Sequence, residues 1–181
     1  MKIIGIAGEA RHGKDTTANI IKYHMESLGK NVLIIHYAYF LKTICRDFFG
    51  WDGEKDIVGR TILQAVGTDK ARNRNPDIWV NMVIEFIKAF GQDYDYIIIP
   101  DCRFKNEFDK LHEESFNFNV FSLWVHRKNF DNGLTEEQKR HPSETSLFDY
   151  KFDSIISVET NMPKLVDAVH NMIRENKFFT A

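Results

Sequence analysis

The sequence predicts an α/β fold in which five parallel strands form one sheet, with helices on both faces. Along the whole chain, short apolar runs alternate with stretches whose apolar residues have helical spacing. In addition, residues 2–17 begin with an apolar run that leads into glycines and then into a helical pattern. A strand, a glycine-bearing turn and a helix in this order are typical of the first unit of an α/β domain.

The turn itself has the spacing of a phosphate-binding loop. Gly8, Gly13 and Lys14 match the pattern Gly-x-x-x-x-Gly-Lys. Glycines let the backbone curl so that several N–H groups point inward, and the helix N-terminus adds the positive end of its dipole. Asp15 stands where the strict motif has Ser or Thr, and a carboxylate there repels phosphates unless it faces Mg²⁺, water or a basic group. Because the glycines and the lysine have this spacing between a strand and a helix, we expect a three-layer P-loop NTPase fold.

This loop predicts a bound nucleoside triphosphate. The residues expected to hold it are Gly8, Ala10, His12, Gly13, Lys14, Asp15, Thr16 and Thr17. Among them, Lys14 is the cation that reaches the transferred phosphoryl group.

Length and charge limit the classes of function. The 181 residues are 43% hydrophobic, which suits one domain with one core. A formal net charge of −2 gives no general attraction to nucleic acid or to anionic membranes, and no recognition-helix motif appears. No signal peptide and no apolar run of roughly 20 residues is visible. Cys45 and Cys102 suggest buried free thiols in a reducing compartment, so we expect a cytoplasmic protein.

The elements after the loop follow from spacing and caps. The first half of the chain predicts a helix ending at Gly29, a strand at 32–36, a helix at 38–49, a short helix carrying Ile62, Leu63 and Val66, and a long helix from Asn75-Pro76 to Gly91. The second half predicts strands at 94–100, 119–125 and 152–158, a last helix from Pro163, and frayed residues at 177–181.

Polar residues follow the strongest of these strands. Asp101 and Arg103 come directly after the run 94–100, and in an open parallel sheet they face the same crevice as Lys14. The acid suits Mg²⁺ and the arginine suits a second phosphate, although a local ion pair is the alternative. Glu107 lies one helical turn after Arg103 and is placed to orient it.

Two further segments allow more than one interpretation. Arg60 and Gln64 share one side of the short helix, either as a ligand-facing pair or as a solvated surface, and the residues alone favour the surface. Trp79 is either core or the wall of a base pocket. The basic, glycine-bearing segment from His126 to His141 predicts a closing lid, with an ordinary mobile loop as the alternative.

Taken together, these blocks resemble the bacteriophage deoxynucleoside monophosphate kinases, in the adenylate-kinase-like branch of the P-loop fold. The matching blocks are Gly-x-x-x-x-Gly-Lys-Asp-Thr-Thr at 8–17, Arg60-x-x-x-Gln64-Ala-x-Gly67-Thr68-Asp69, Trp79-Val80, the run from Tyr94 through Asp101, Arg103 and Glu107, and His141-x-Ser143-Glu144. That family carries the Lys-Asp-Thr form, so Asp15 is ordinary within it. The region between the second strand and Arg60 is short here relative to members with a large insertion.

The resemblance implies transfer of the γ-phosphoryl group of ATP to a deoxynucleoside monophosphate in one domain, residues 1–181. It implies a monophosphate-binding insertion at 38–92, a lid at 126–145, and a homodimer, with host cytoplasm as the compartment of a phage protein. The implied catalytic residues are Lys14, Asp101, Arg103, Arg127 and Arg140, and the implied Mg²⁺ ligands are Thr16 and Asp101. The implied acceptor residues are Arg60, Gln64, Gly67, Thr68, Arg72, Trp79, Asp101, Arg103 and Glu107, with Arg74 a further phosphate-facing cation.

Two rival functions remain open on the sequence alone. One is a P-loop kinase for another small phosphorylated acceptor, such as a sugar phosphate or mevalonate phosphate. The other is a non-catalytic module that binds ATP only to stabilise a partner surface. A general base is not needed for phosphoryl transfer, because the acceptor phosphate is already anionic.

Overall fold

The computed structural model describes residues 1–54, 56–114 and 117–180. Its centre is a five-stranded sheet in the order β2-β3-β1-β4-β5, in which every recorded pairing is parallel. The strands are β1 Lys2–Ala7, β2 Val32–Ile34, β3 Tyr96–Cys102, β4 Asn119–Arg127 and β5 Ser154–Val158. The five-stranded parallel sheet expected from the sequence is confirmed.

Helices connect the strands and cover the sheet. The longer ones are α1 Lys14–Ser27, α2 Ala38–Phe48, α3 Ile57–Gln64, α4 Ile78–Phe90, α5 Lys105–Glu113 and α8 Met162–Glu175. The short ones are α6 Glu136–Lys139, α7 Pro142–Thr145 and α9 Lys177–Thr180. A π-helical stretch, Ala65–Arg72, continues α3, and a 3₁₀ turn, Gly91–Asp93, follows α4.

Strand alternation divides the core into two faces. Ile4 and Ile6 of β1 pack on the face covered by α1 and α8, whereas Ile3 and Ala7 pack on the face covered by α4 and α5. This follows from the period of two in a strand, which sends successive side chains to opposite sides. A small third cluster of Cys45, Trp51 and Val66 joins α2, α3 and the π-helical stretch. Both predicted buried thiols are free and buried.

Strand β1 lies between β3 and β4, so three carboxyl ends meet at one edge of the sheet. The phosphate-binding loop follows β1, Asp101 lies near the end of β3, and Arg127 ends β4. Ligands of open parallel sheets bind at such an edge, where strand order reverses. The topology therefore brings together segments that lie about 100 residues apart in sequence.

Several element bounds differ from the sequence-based expectation. Helix α4 begins at Ile78, since the Asn75 side chain accepts the Asp77 N–H over 3.1 Å and so closes a local turn instead of capping the helix. Strand β3 begins at Tyr96 and ends at Cys102. Asp101 is therefore part of the strand rather than the first residue after it. Phe48, the last residue of α2, is 78% exposed.

The expectation of frayed residues at the C-terminus was wrong for 177–180. These residues form α9, and Phe179 is buried against the first core face. The Lys2 ammonium donates to the Phe178 carbonyl over 2.6 Å, which ties this turn to β1. Ala181 lies outside the described residues. No helix in the described ranges has the length and apolar character needed to cross a membrane.

Candidate active site

The loop between β1 and α1 has the backbone conformation that its glycines predict. Gly8 has φ +147°, and a Cβ there would lie 2.2 Å from the Val125 carbonyl oxygen, so no other residue fits. Gly13 has φ +97° and precedes the first residue of α1, and its carbonyl accepts the Thr17 N–H over 2.8 Å. The loop therefore packs directly on β4 and ends at a helix N-terminus, the arrangement that binds phosphates in P-loops.

Lys14 lies against this loop and is only 8% exposed. Its Nζ donates to the carbonyl oxygens of Gly8 and Glu9 over 2.8 and 2.7 Å. Burial, and then the positive charge of Arg103, lower the pKa of Lys14 to about 8. The ammonium is thus a poorly hydrated cation, and an anionic ligand would stabilise it strongly.

A cavity of about 480 Å³ opens beside Lys14. It lies between the phosphate-binding loop, the N-terminus of α2, the end of β3 and the start of α4. Its lining includes Ala10, Arg11, Lys14, Asp15, His36, Tyr37, Ala38, Leu41, Lys42, Arg72, Trp79, Pro100, Asp101, Arg103 and Glu107. Basic and acidic groups converge on one concave space, which is typical of a substrate site.

Asp101 closes one side of this cavity by capping α2. Its Oδ1 accepts the Tyr37 N–H over 2.9 Å and its Oδ2 accepts the Ala38 N–H over 3.0 Å. A carboxylate at a helix N-terminus satisfies unpaired N–H groups and interacts favourably with the helix dipole. Asp101 therefore fixes the start of α2 relative to β3.

Glu107 is the most buried acid of the site, at 1% exposure. Its Oε2 accepts the backbone N–H groups of Arg103 and Phe104 over 2.5 and 3.0 Å, and its Oε1 accepts Arg72 Nη2 over 3.2 Å. The sequence-based expectation that Glu107 orients Arg103 holds for the backbone of Arg103. The guanidinium of Arg103 is held elsewhere, by Glu144 at 2.5 Å.

Asp15, the unusual residue of the loop motif, faces a basic group. Its Oδ1 lies 3.0 Å from Nε2 of His36, which follows β2. The hydrogen bond with His36 lowers the pKa of Asp15. His36 is therefore a basic group of the kind that makes a carboxylate tolerable beside phosphates.

His12 also belongs to the loop, and it is 2% exposed. Its Nδ1 accepts the Arg127 backbone N–H over 3.1 Å, so a neutral ring carries its proton on Nε2, which lies 3.1 Å from Glu9 Oε2. Burial lowers the pKa of His12 to about 4, helped by the charges of His126, Lys14 and Arg127. The ring is thus a neutral link between the loop and β4.

Glu9, His12 and His126 place their ligand atoms within 4.8 Å of one another, the proximity expected of a metal centre. A metal on Nε2 of His12 would require the ring proton on Nδ1, where it would meet the Arg127 N–H. The hydrogen bonds therefore favour a structural link over a metal centre.

A comparison with protein families decides the class of enzyme. The model of the family described as deoxynucleotide monophosphate kinase matches residues 32–169, roughly three quarters of the chain. The chain belongs to this family. It is a nucleotide kinase that phosphorylates a deoxynucleoside monophosphate. The resemblance noted from the sequence motifs is thereby confirmed, and the two rival functions are set aside.

One solved structure supports this fold assignment. The kinase is similar to Mycobacterium tuberculosis APS kinase CysC in complex with AMPPNP and APS, with 10% identity, a TM-score of 0.53, and coverage of 99% of this chain and 98% of that one. A cysteine-to-alanine mutant of the same APS kinase aligns over 96% of both chains with 10% identity and a TM-score of 0.49. Among curated proteins, none matches the kinase.

The kinase brings some sequence-predicted site residues to the cavity and not others. Lys14, Asp15, Ala10, Arg72, Trp79, Asp101, Arg103 and Glu107 line it. Arg60, Gln64, Arg74 and Arg140 are exposed and absent from that lining. Gly67 and Trp79 are linked, since the buried indole donates to the Gly67 carbonyl over 3.1 Å, whereas Thr68 is half-buried outside the lining.

The two predicted Mg²⁺ ligands are not brought to the same cavity. Thr16 lines a separate cavity of about 250 Å³, together with His12, Gly13, Arg127, Val158, Glu159, Thr160, Asn161, Met162 and Leu165. Asp101 lines the larger one. Thr17 is fully buried, and its Oγ1 has no hydrogen-bond partner within the described ranges.

Arg127 lines the smaller cavity and is well anchored. Its guanidinium stacks 3.6 Å from the Phe130 ring and donates to the Arg11 carbonyl and the Thr160 hydroxyl, over 3.2 and 2.9 Å. Arg127 is the last residue of β4, so the segment expected to form a lid begins inside a strand.

Several residues of the kinase's cavity were not predicted from the sequence. His36, Tyr37, Ala38 and Leu41 line it, because the start of α2 meets the end of β3. Part of the sequence could have indicated these residues. A short strand followed at once by a helix places the N-terminus of that helix at the edge of the sheet where ligands bind. A larger cavity of about 710 Å³, lined by Lys2, Lys30 and Lys88 among others, lies at the opposite, amino-terminal edge of the sheet, away from this chemistry.

Proposed function

We propose that this kinase transfers the γ-phosphoryl group of ATP to a deoxynucleoside monophosphate bound in the 480 Å³ cavity. The observation that carries the proposal is that Lys14 of the phosphate-binding loop and Arg72 and Arg103 on the acceptor side line one cavity. Two phosphate-bearing substrates must meet for direct transfer, and cations on both sides of one space favour that encounter.

On the donor side, the loop amides between Gly8 and Gly13 other than the Ala10 N–H, which Glu144 accepts, would hold the triphosphate together with the Lys14 ammonium. The 250 Å³ cavity beside Gly13 and Thr16 would take the base of ATP, with Met162 and Leu165 as its apolar wall. Both assignments are supported by adjacency: the same loop borders both cavities.

On the acceptor side, Arg103 and Arg72 would bind the monophosphate, and Trp79 would border its nucleoside. The segment 38–92 would then enclose the acceptor, as the resemblance implies. Arg60, Gln64 and Thr68 would take part only if that segment closes further, since they lie outside the cavity lining.

Mg²⁺ would be held by oxygen ligands at the 480 Å³ cavity. Asp15 and Asp101 both line it, and each Asp101 oxygen accepts one N–H and retains a free lone pair. This donor set suits a hard cation bound partly through water. When bound, Mg²⁺ supplies charge neutralisation on the phosphate oxygens.

Catalysis would rest on alignment and charge neutralisation rather than on a general base. The acceptor phosphate is already anionic, so Lys14 and Arg103 have only to bring the two phosphates together and offset the developing charge. The segment 126–145, with Arg127 and Arg140, would exclude water, because an exposed γ-phosphate would be hydrolysed.

The proposal is tested by a coupled ADP-release assay with ATP and Mg²⁺, in which each deoxynucleoside and ribonucleoside monophosphate is offered separately. Turnover with a deoxy acceptor, and weaker turnover with its ribose counterpart, is the expected result. ADP release that no monophosphate stimulates, from protein that binds ATP, would contradict the acceptor assignment. The homodimer, the phage origin and the cytoplasmic location stay predictions.

A further inference from the structure

One carboxylate connects the two sides of the cavity. Glu144 Oε2 accepts the Ala10 N–H of the phosphate-binding loop over 2.8 Å, and its Oε1 accepts Arg103 Nη1 over 2.5 Å. The Glu144 side chain is 11% exposed. The Ser143 carbonyl accepts a second hydrogen bond from the same Nη1, over 3.3 Å.

The local sequence explains how Glu144 is presented. It lies on the four-residue helix α7, whose N-cap is His141: Nδ1 of His141 accepts the Ser143 N–H over 3.2 Å and lies 2.9 Å from the Ser143 hydroxyl. His141 and Ser143 thus start the turn that carries Glu144. This accounts for the block His141-x-Ser143-Glu144, which no proposed substrate contact uses.

Charge and entropy both give Glu144 a role at Arg103. Lys14 lies close enough to Arg103 for the two positive charges to interact unfavourably. A carboxylate on Arg103 offsets that repulsion, and it also fixes a long side chain that otherwise samples many rotamers. Because Glu144 also binds the loop N–H, the arginine is fixed relative to the phosphate-binding loop.

We propose that Glu144 is a positioning residue that holds the Arg103 guanidinium against the phosphate-binding loop, so that turnover depends on Glu144 through Arg103. This inference rests on the proposed function, in which Arg103 binds the acceptor. The alternative outcome of the test is that the carboxylate occupies the Ala10 N–H that would otherwise bind a phosphate, and so competes with ATP. The two roles differ in the expected sign of the effect on ATP affinity.

The test is a double-mutant cycle of Glu144→Ala and Arg103→Ala. It is measured as kcat and KM with the best deoxynucleoside monophosphate of the native kinase, and as binding of that monophosphate and of ATP by titration calorimetry. We expect Glu144→Ala to lower kcat/KM for the monophosphate by about 10- to 100-fold, with ATP affinity within about threefold of native. In the Arg103→Ala background, Glu144→Ala should add no further loss.

A matched control is Asp149→Ala, which removes an exposed carboxylate, 74% exposed, that pairs with Lys105 near the same edge. It should leave every parameter near native. If Glu144→Ala lowers the melting temperature too far for measurement, Glu144→Gln keeps the side-chain size and one acceptor for Arg103, and should give an intermediate loss that is again absent in the Arg103→Ala background.

Each other outcome overturns the inference in a recognisable way. Fully additive losses would mean that Glu144 acts independently of Arg103. Tighter ATP binding in Glu144→Ala would show a competitor rather than a positioning residue. Native activity in Arg103→Ala would overturn the roles of both residues, whereas failure of the proposed function itself would appear in the native kinase as absent acceptor-stimulated turnover.

Discussion

The Arg72 guanidinium donates to the Glu107 carboxylate over 3.2 Å, at a point where the Glu107 side chain is only 1% exposed. The Phe104 ring lies under the same guanidinium, with its centroid 4.4 Å from Arg72 Cζ. Arg72 ends the π-helical stretch of the segment 38–92, and Glu107 lies in the first turn of α5. The pair therefore anchors that segment to the edge of the sheet.

Removing Glu107 should cost about 3 kcal/mol or more of the free energy of unfolding. Glu107→Ala leaves the Arg72 charge and the N–H groups of Arg103 and Phe104 without their buried acceptor. Urea unfolding followed by circular dichroism measures the loss. Glu113→Ala, at an exposed position of the same helix, is the control, and a loss below about 1 kcal/mol in Glu107→Ala would contradict the assigned network.

Turnover should fall at alkaline pH because of Lys14. The pKa of Lys14 is lowered to about 8, so the ammonium is present below that pH and is lost as the pH rises through it. We expect kcat/KM for ATP to decrease above about pH 8 in the native kinase. Lys14→Arg stays charged and should lose this alkaline limb, at a lower overall rate. Lys14→Ala should abolish turnover, and a rate near native at any pH would refute the assignment of the loop.

Gly8 should tolerate no side chain. A Cβ there would lie 2.2 Å from the Val125 carbonyl oxygen, and φ is +147°. Gly8→Ala must push the loop off β4, and we expect a loss of about 3 kcal/mol of stability together with weakened ATP binding. Thermal melts and ATP titrations measure both. Gly29→Asn is the control, since Gly29 has φ +77° with nothing near its Cβ position and asparagine adopts that conformation readily.

Acid should destabilise the kinase through His12. Its pKa is lowered from 6.5 to about 4 in the folded state, so between these values the unfolded chain binds about one more proton and stability falls as the pH falls. His12→Gln keeps an acceptor for the Arg127 N–H and removes the titration. Its melting temperature should therefore drop less between pH 7 and about pH 4.5 than that of the native kinase. The exposed His112→Gln should behave as native, and equal drops in all three proteins would exclude His12 as the source.

The sequence predicted helices, strands and turns well where each depends on residues only a few positions apart. The phosphate-binding loop depends on two glycines and a lysine at a set spacing, and the fold reproduces the strand, turn and helix at these positions. The parallel sheet followed from alternating patterns of period two and period 3.6. The predicted start of α4 was two residues too early, because Asn75 binds its own neighbouring backbone rather than a helix N-terminus.

The membership of the cavity was only partly predictable. Asp101 and Arg103 reach it because strand ends of a parallel sheet share one edge. Arg60 and Gln64 are also polar, yet both are exposed and lie outside the cavity lining. No pattern within the segment specifies that placement, since it depends on how α3 packs on α2.

By itself, the sequence determined the class of fold, the phosphate-binding loop, and the family of kinases to which the chain belongs, because these depend on residue types at short spacings. Only the tertiary structure decided that Glu144 reaches Ala10 across 134 residues of sequence, and that Arg72 shares Glu107 with the backbone of Arg103. Such contacts depend on strand order and on the packing of distant helices. Their contribution to stability depends on how deeply these polar groups are buried, and that burial arises only when distant segments pack together.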